Sequence, residues 1–263
     1  MIDVLRQHLT ASMDAEEKIN RVRDFLQVLC LKIIHDKGYF KNVAFVGGTA
    51  LRILYDLRRF SEDLDFSVVK KKGYGFSEII SNLVYELDLY GFKVETKNSA
   101  GKTVQSSFLK FSHLLNQLGL SQMRKQKLSI KIEVDSNPPE GWGTQSTLIN
   151  KTYIFNILHF DLPSLYATKL HACFFRKFTK GRDFYDLLWY LGKKTRPNFT
   201  LLNNAIKQTE GKDLDLNEGR FKNFLLKNLE KVDFDFVKKD VERFLEDKKE
   251  LDLLNFNLIK KSI

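Results

Sequence analysis

Four apolar residues, Val43-Ala44-Phe45-Val46, run directly into two glycines, Gly47 and Gly48, and then into Thr49-Ala50-Leu51-Arg52-Ile53-Leu54-Tyr55. The first run is short and rich in β-formers and predicts a strand. The glycines supply a tight turn, and a threonine ahead of good helix formers reads as a helix cap. This strand, turn and helix commit the chain to mixing sheet with helix. The next extended segment, Asp63 to Val69, alternates polar and apolar residues, so Asp63 and Asp65 fall on one face of a second strand.

The same two periodicities organise the rest. Ile19, Val22, Phe25, Leu26, Leu29, Ile33 and Ile34 recur at helical spacing between Asp14 and Lys37, after acidic residues and before Gly38. A further helix is expected over Phe76 to Tyr90, then strands at Lys93 to Lys97, Val104 to Phe111 and Leu128 to Asp135. The last alternates Leu128, Ile130, Ile132 and Val134 with Ser129, Lys131, Glu133 and Asp135. Asn137 to Gly141 reads as a loop and Thr152 to Phe160 as another strand. From Leu162 onward the pattern is helical: Leu162 to Phe178, Arg182 to Leu191, Phe199 to Lys207, Asn217 to Leu229 and Phe234 to Lys248. A domain boundary is therefore expected near Asp161, with a sheet-bearing part at 1–161 and a helical part at 162–263. The 263-residue length suits one large or two small domains.

Composition excludes several classes. With 43% hydrophobic residues, 14 Gly and 4 Pro, the chain is neither disordered nor collagenous. Cys30 and Cys173 lie far apart and outside any zinc spacing, so a reducing, cytoplasmic setting is expected, and no apolar run is long enough to predict a membrane span. The formal net charge of +10 favours polyanionic partners. No Gly-x-Ser-x-Gly elbow or Walker lysine loop occurs, and the five histidines are scattered without metal spacing.

Three constellations could carry chemistry. A Gly47-Gly48-Thr49 turn entering a helix lets backbone N–H groups approach a phosphate, where the helix N-terminus favours negative charge. Asp63 and Asp65, side by side on one face, repel each other unless a cation neutralises them, and Mg²⁺ held by carboxylates plus substrate phosphates meets that need. Alternatively the glycines form only a turn, with an aspartate capping or pairing with Arg58 or Arg59. Glu133 or Asp135 could add a third carboxylate, as in two-metal phosphoryl transfer, or could lie on a solvated strand face. Finally, Leu162 to Arg182 holds five Lys/Arg and no acid, and as one helix it would bring Lys169, Cys173, Arg176 and Lys177 close to one face. That face could grip triphosphate or RNA, or serve solubility alone. Asp183 could act at the site or cap a helix, and Asp186 could pair with Arg182.

Phe45-Val46-Gly47-Gly48-Thr49-Ala50-Leu51, Arg59-Phe60-Ser61-Glu62-Asp63-Leu64-Asp65-Phe66, Lys131 to Asp135, Lys169 and Arg182-Asp183-Phe184-Tyr185-Asp186-Leu187 together resemble the AbiEii/AbiGii toxin family of DNA polymerase β-like nucleotidyltransferases. The resemblance spans about residues 40 to 192. It implies an α+β fold, with a nucleotidyltransferase-type mixed sheet, flanking helices and a helical C-terminal part. It also implies a toxin of a toxin–antitoxin, abortive-infection system that moves NMP from an NTP to RNA, with tRNA the expected acceptor, Mg²⁺ the cofactor and an antitoxin the partner. Asp63, Asp65, Lys169 and Asp183 would be catalytic, and Gly47, Gly48, Thr49, Lys169 and Arg182 would bind nucleotide. Asp63, Asp65 and Glu133 would hold metal. The superfamily's Gly-Ser turn is Gly-Gly here, so a hydroxyl contact would have to come from Thr49. A kinase-like phosphotransferase or a catalytically silent RNA-binding module are the alternative readings.

Overall fold

The computed structural model describes residues 1–101 and 103–263. Helix α1 (Ile2–Gln7) and the long α2 (Ala15–Asp36) precede strand β1 (Val43–Val46), helix α3 (Gly47–Tyr55) and strand β2 (Asp63–Val68). Helix α4 (Phe76–Leu89) leads to β3 (Val94–Ala100), β4 (Val104–Phe111), the short α5 (Leu114–Gln117) and β5 (Leu128–Asp135). A hairpin of β6 (Thr144–Asn150) and β7 (Ile154–Phe160) follows. Then come α6 (Leu162–Phe175), α7 (Gly181–Gly192), α8 (Phe199–Glu210), α9 (Glu218–Leu229), α10 (Phe234–Val241) and α11 (Phe256–Ser262).

The described strands form one mixed seven-stranded sheet in the order β3-β4-β5-β2-β1-β7-β6. β2 runs parallel to β5 and antiparallel to β1, while β1 runs parallel to β7. The alternation read in β5 is real: Leu128, Ile130, Ile132 and Val134 are buried, and the intervening Ser129, Lys131, Glu133 and Asp135 are half-exposed. The fold is therefore the expected α+β arrangement of a mixed sheet with flanking helices and a helical C-terminal part.

Packing divides the chain into two compact units. The first comprises Met1–Tyr55, Phe60–Asn137 and Ser146–His159, and the second Asp56–Arg59, Pro138–Gln145 and Phe160–Ile263. The second unit thus takes up two short segments that precede Asp161 in sequence. In the first unit α2 and α4 pack on each other and on the sheet. In the second, α7 packs against α6, α10 and α11, and Tyr166 of α6 stacks on Tyr190 of α7 at 4.2 Å between ring centres.

Helix starts follow cap chemistry. Asp14, Asp161, Asn198, Asn217, Asp233 and Asn255 each accept a backbone N–H from the first turn of α2, α6, α8, α9, α10 and α11 respectively. The expected Thr49 cap does not form, because α3 begins at Gly47 directly after the strand. Three expected helices have different ends. The first C-terminal helix stops at Phe175, where Arg176 turns extended, and the helix expected to reach Lys248 ends at Val241 and passes into 3₁₀ turns. α8, by contrast, runs three residues further, to Glu210. Strand β6 and helix α11 had no sequence counterpart.

Candidate active site

The sheet register assembles the first unit's polar face. Val46 at the end of β1 lies opposite Asp65, so the Gly47 turn is delivered to that aspartate. Gly47 has φ +79°, a left-handed conformation that favours glycine. A Cβ built there would lie 2.2 Å from Asp65 Oδ2 and 2.9 Å from Asp65 Cβ and Cγ. The Asp65 carboxylate is therefore packed against the turn that opens α3, a position only glycine permits. Thr49 is fully buried, and its hydroxyl donates to the Asp63 carbonyl oxygen, tying α3 to β2. What Thr49 offers a ligand is accordingly its backbone, and the hydroxyl contact expected of it is committed to the fold.

Across the sheet, Asp63 pairs in register with Lys131 of β5, and Lys131 with Phe108 of β4. One step along, Asp65 pairs with Glu133 and Glu133 with Ser106. Paired residues on adjacent strands share a face, so Asp63, Asp65 and Glu133 line the same side of the sheet. Glu133, directly opposite Asp65, is nearer than Asp135, which pairs with Ser67. The Glu133 carboxylate lies 2.8 Å from Lys131 Nζ. Asp135 accepts the Asn137 backbone N–H, and burial raises its carboxyl pKa.

Among the described residues no three carboxylate, imidazole or thiolate groups converge tightly enough to enclose an ion unaided. Asp63 and Asp65 nevertheless suit Mg²⁺, which is commonly held by one or two carboxylates with substrate phosphates completing its shell.

In the second unit, Lys169 of α6 and Asp183 and Asp186 of α7 form a buried ion cluster with Arg59. Lys169 Nζ lies 2.7 Å from both Asp183 Oδ1 and Asp186 Oδ2. Arg59 donates two hydrogen bonds to Asp186, at 2.5 and 2.6 Å, and both side chains are almost wholly removed from solvent. Arg176 reaches the other Asp183 oxygen at 2.7 Å. Burial alone would push Asp183 upward, but Lys169 and Arg176 outweigh it and hold the carboxyl below its ordinary value. Burial would likewise lower the Lys169 ammonium pKa, and Asp183 and Asp186 reverse this and raise it.

Several sequence readings change here. Lys169, Arg176 and Lys177 do not form one exposed helical face: Lys169 is buried in the cluster, and the helix has ended before Arg176. Asp186 pairs with Arg59 and Lys169, not with Arg182, whose guanidinium instead lies 4.3 Å over the Phe244 ring. Arg59 pairs with Asp186 and Arg58 with Glu250. The Arg59–Asp186 pair was missed because the two residues are 127 positions apart, with no local signal linking them.

Fold and site together are an α+β protein with a mixed sheet and a glycine turn set against a strand-borne carboxylate pair. The family profile described as "Nucleotidyl transferase AbiEii toxin, Type IV TA system" matches residues 30–255, and the chain belongs to that family. It is thus a toxin-type nucleotidyltransferase, and membership in a Type IV toxin–antitoxin family implies an antitoxin partner. Among solved structures it is similar to JHP933 from Helicobacter pylori, at 18% identity over 91% of this chain and 93% of that one, with a TM-score of 0.46. A second H. pylori structure, described as a candidate nucleotidyltransferase, has 18% identity, the same coverages and a TM-score of 0.47. No curated protein matches the chain. Among the described residues no helix is long and apolar enough to cross a membrane.

Proposed function

We propose that the chain transfers NMP from an NTP to a terminal hydroxyl of RNA, with tRNA as acceptor, in the cytoplasm, and that Mg²⁺ is held by Asp63 and Asp65. The observation that carries this reading is the Asp65 carboxylate packed against Gly47 at the start of α3, which sets a phosphate-binding turn beside a carboxylate pair. Mg²⁺, when bound, supplies charge neutralisation at the α-phosphate and acidifies a nearby hydroxyl.

The chain's own residues then do four things. The first-turn amides of α3, from Gly47 to Thr49, donate to the oxygens of the departing pyrophosphate. Asp63 and Asp65 would hold the cation and so set where the α-phosphate lies along β2. Glu133, opposite Asp65, is the third acid of the face and takes up the acceptor's proton. Lys131, 2.8 Å from the Glu133 carboxylate, fixes its position for that purpose. Catalysis of this kind is mainly positioning and electrostatics. In this reading Lys169 and Asp183 serve to lock α6 to α7.

Asp65→Ala is expected to abolish incorporation of label from an α-phosphate-labelled NTP into RNA, with circular dichroism unchanged. Wild-type transfer by that variant would refute the assignment. Label passing from the γ-phosphate alone, to protein, would replace nucleotidyl with phosphoryl transfer.

A further inference from the structure

Beside Asp63, wholly within the first unit, lies a cavity of about 320 Å³. Its floor is the sheet row Asp63, Lys131 and Phe108, and its walls include Arg23 of α2 together with Gln126 and Lys127 ahead of β5. Phe108 is half-buried, and Lys131 Nζ stands 5.7 Å from its ring centre. Arg23, Lys127 and Lys131, ion-paired with Glu62, Glu95 and Glu133 respectively, share this lining with the Glu62 and Asp63 carboxylates, an aromatic ring and an amide side chain, around a space at the lower end of the size range of small-ligand sites. A base stacks on an aromatic ring whatever its sequence, and ribose-phosphate is drawn to lysine and arginine. The ligand chemistry that fits is a single nucleotide.

The sheet order says which nucleotide. The Gly47 turn lies on the β1 side of Asp63 and Asp65, and the cavity lies on their β5 and β4 side. In-line transfer at phosphorus sets the attacking hydroxyl and the leaving group on opposite sides. With pyrophosphate leaving toward the Gly47 turn, the hydroxyl must arrive from the cavity side. We infer that this cavity seats the 3′-terminal nucleotide of the acceptor RNA, its base on Phe108 and its hydroxyl toward Asp63. The inference rests on the nucleotidyl-transfer reading for its direction, and on the cavity's own lining for its ligand class.

The test measures binding, so it does not depend on turnover. A short single-stranded RNA labelled with fluorescein at its 5′ end, with a free 3′-hydroxyl, is titrated into the full-length protein by anisotropy. ATP binding is followed separately by calorimetry. Phe108→Leu is expected to weaken RNA binding about tenfold or more, as loss of one stacking platform does, and to leave ATP affinity in place. Phe108→Trp keeps the platform and should restore RNA binding, which separates stacking from misfolding. Lys127→Ala, at the more exposed wall, should weaken the same RNA several-fold. ATP affinity falling with RNA unaffected would assign the cavity to the donor and overturn the inference, as would unchanged binding of both. If Phe108→Leu loses RNA while the wild-type protein incorporates no label from any NTP, the nucleotidyl-transfer reading fails and the RNA-end cavity stands.

Discussion

Gly47→Ala separates the geometry of the site from the stability of the fold. Two penalties arise. Alanine at φ +79° is strained by about 1 kcal/mol. Its Cβ would also lie 2.2 Å from Asp65 Oδ2, more than about 1 Å inside ordinary contact. Rotating the carboxylate away does not relieve the clash, because Asp65 Cβ is itself only 2.9 Å distant. The strand or the turn must move, and overpacking of this kind costs about 1–3 kcal/mol. The sum, about 2–4 kcal/mol, lowers the thermal midpoint by on the order of 10 °C in a unit of this size. A displacement of about 1 Å at a group that positions the reacting phosphate costs about 10²-fold in rate. Gly38→Ala is the internal control, since Gly38 has φ +71° and nothing within 4 Å of its would-be Cβ. It should lose only the backbone term and keep full transfer activity. The assay pairs thermal unfolding by circular dichroism with α-label incorporation, measured well below both midpoints. If Gly47→Ala matched Gly38→Ala in both readouts, Asp65 would not be held by the turn and the site geometry argued here would be wrong.

Two further outcomes concern the buried cluster. Arg59→Met leaves a fully buried Asp186 with one cation, and should destabilise the protein by about 3–5 kcal/mol in urea unfolding. Adding Asp186→Leu should give back less than expected from the pair alone, because Lys169 then loses one of its two acids. The pH dependence follows from the shifted pairs. Asp183 is lowered by folding, so its stabilisation is present above the unfolded carboxyl value of about 3.9 and disappears as pH falls through the lower folded value. Lys169 is raised, so its share is present below about 10.4 and is lost as pH rises through the folded value. Asp183→Asn should flatten the acid limb of stability measured against pH, and a wild-type acid limb in that variant would contradict the pairing.

What could be read from the sequence was what short-range geometry dictates. The Asp63/Asp65 face follows from two-residue strand periodicity, and the β5 alternation was visible for the same reason. Strand β6 was invisible because it is an edge strand exposed along most of its length, so no buried face imprinted a pattern on Thr144–Asn150. The basic face read into Leu162 to Phe178 fails at two places: Lys169 is buried against Asp183 and Asp186, and Arg176 turns out of the helix and reaches Asp183. Phe108 was read only as a strand residue and Lys131 only as a strand residue within the family-like string Lys131 to Asp135, because their placement beside Asp63 depends on the register of three strands separated by long connections.

That register carries a local conflict. Placing Asp65 directly opposite Glu133 puts like charges in a cross-strand pair, which the sheet disfavours. Asp63 two residues along adds a third acid to the same face. The fold offsets part of this with Lys131, which lies opposite Asp63 and bonds to Glu133 at 2.8 Å. Disagreement between local preference and observed sequence concentrates where function demands it, and here it falls beside the turn that admits only glycine. Under the proposed function, these are the acids that a cation and the donor's phosphates would meet during transfer.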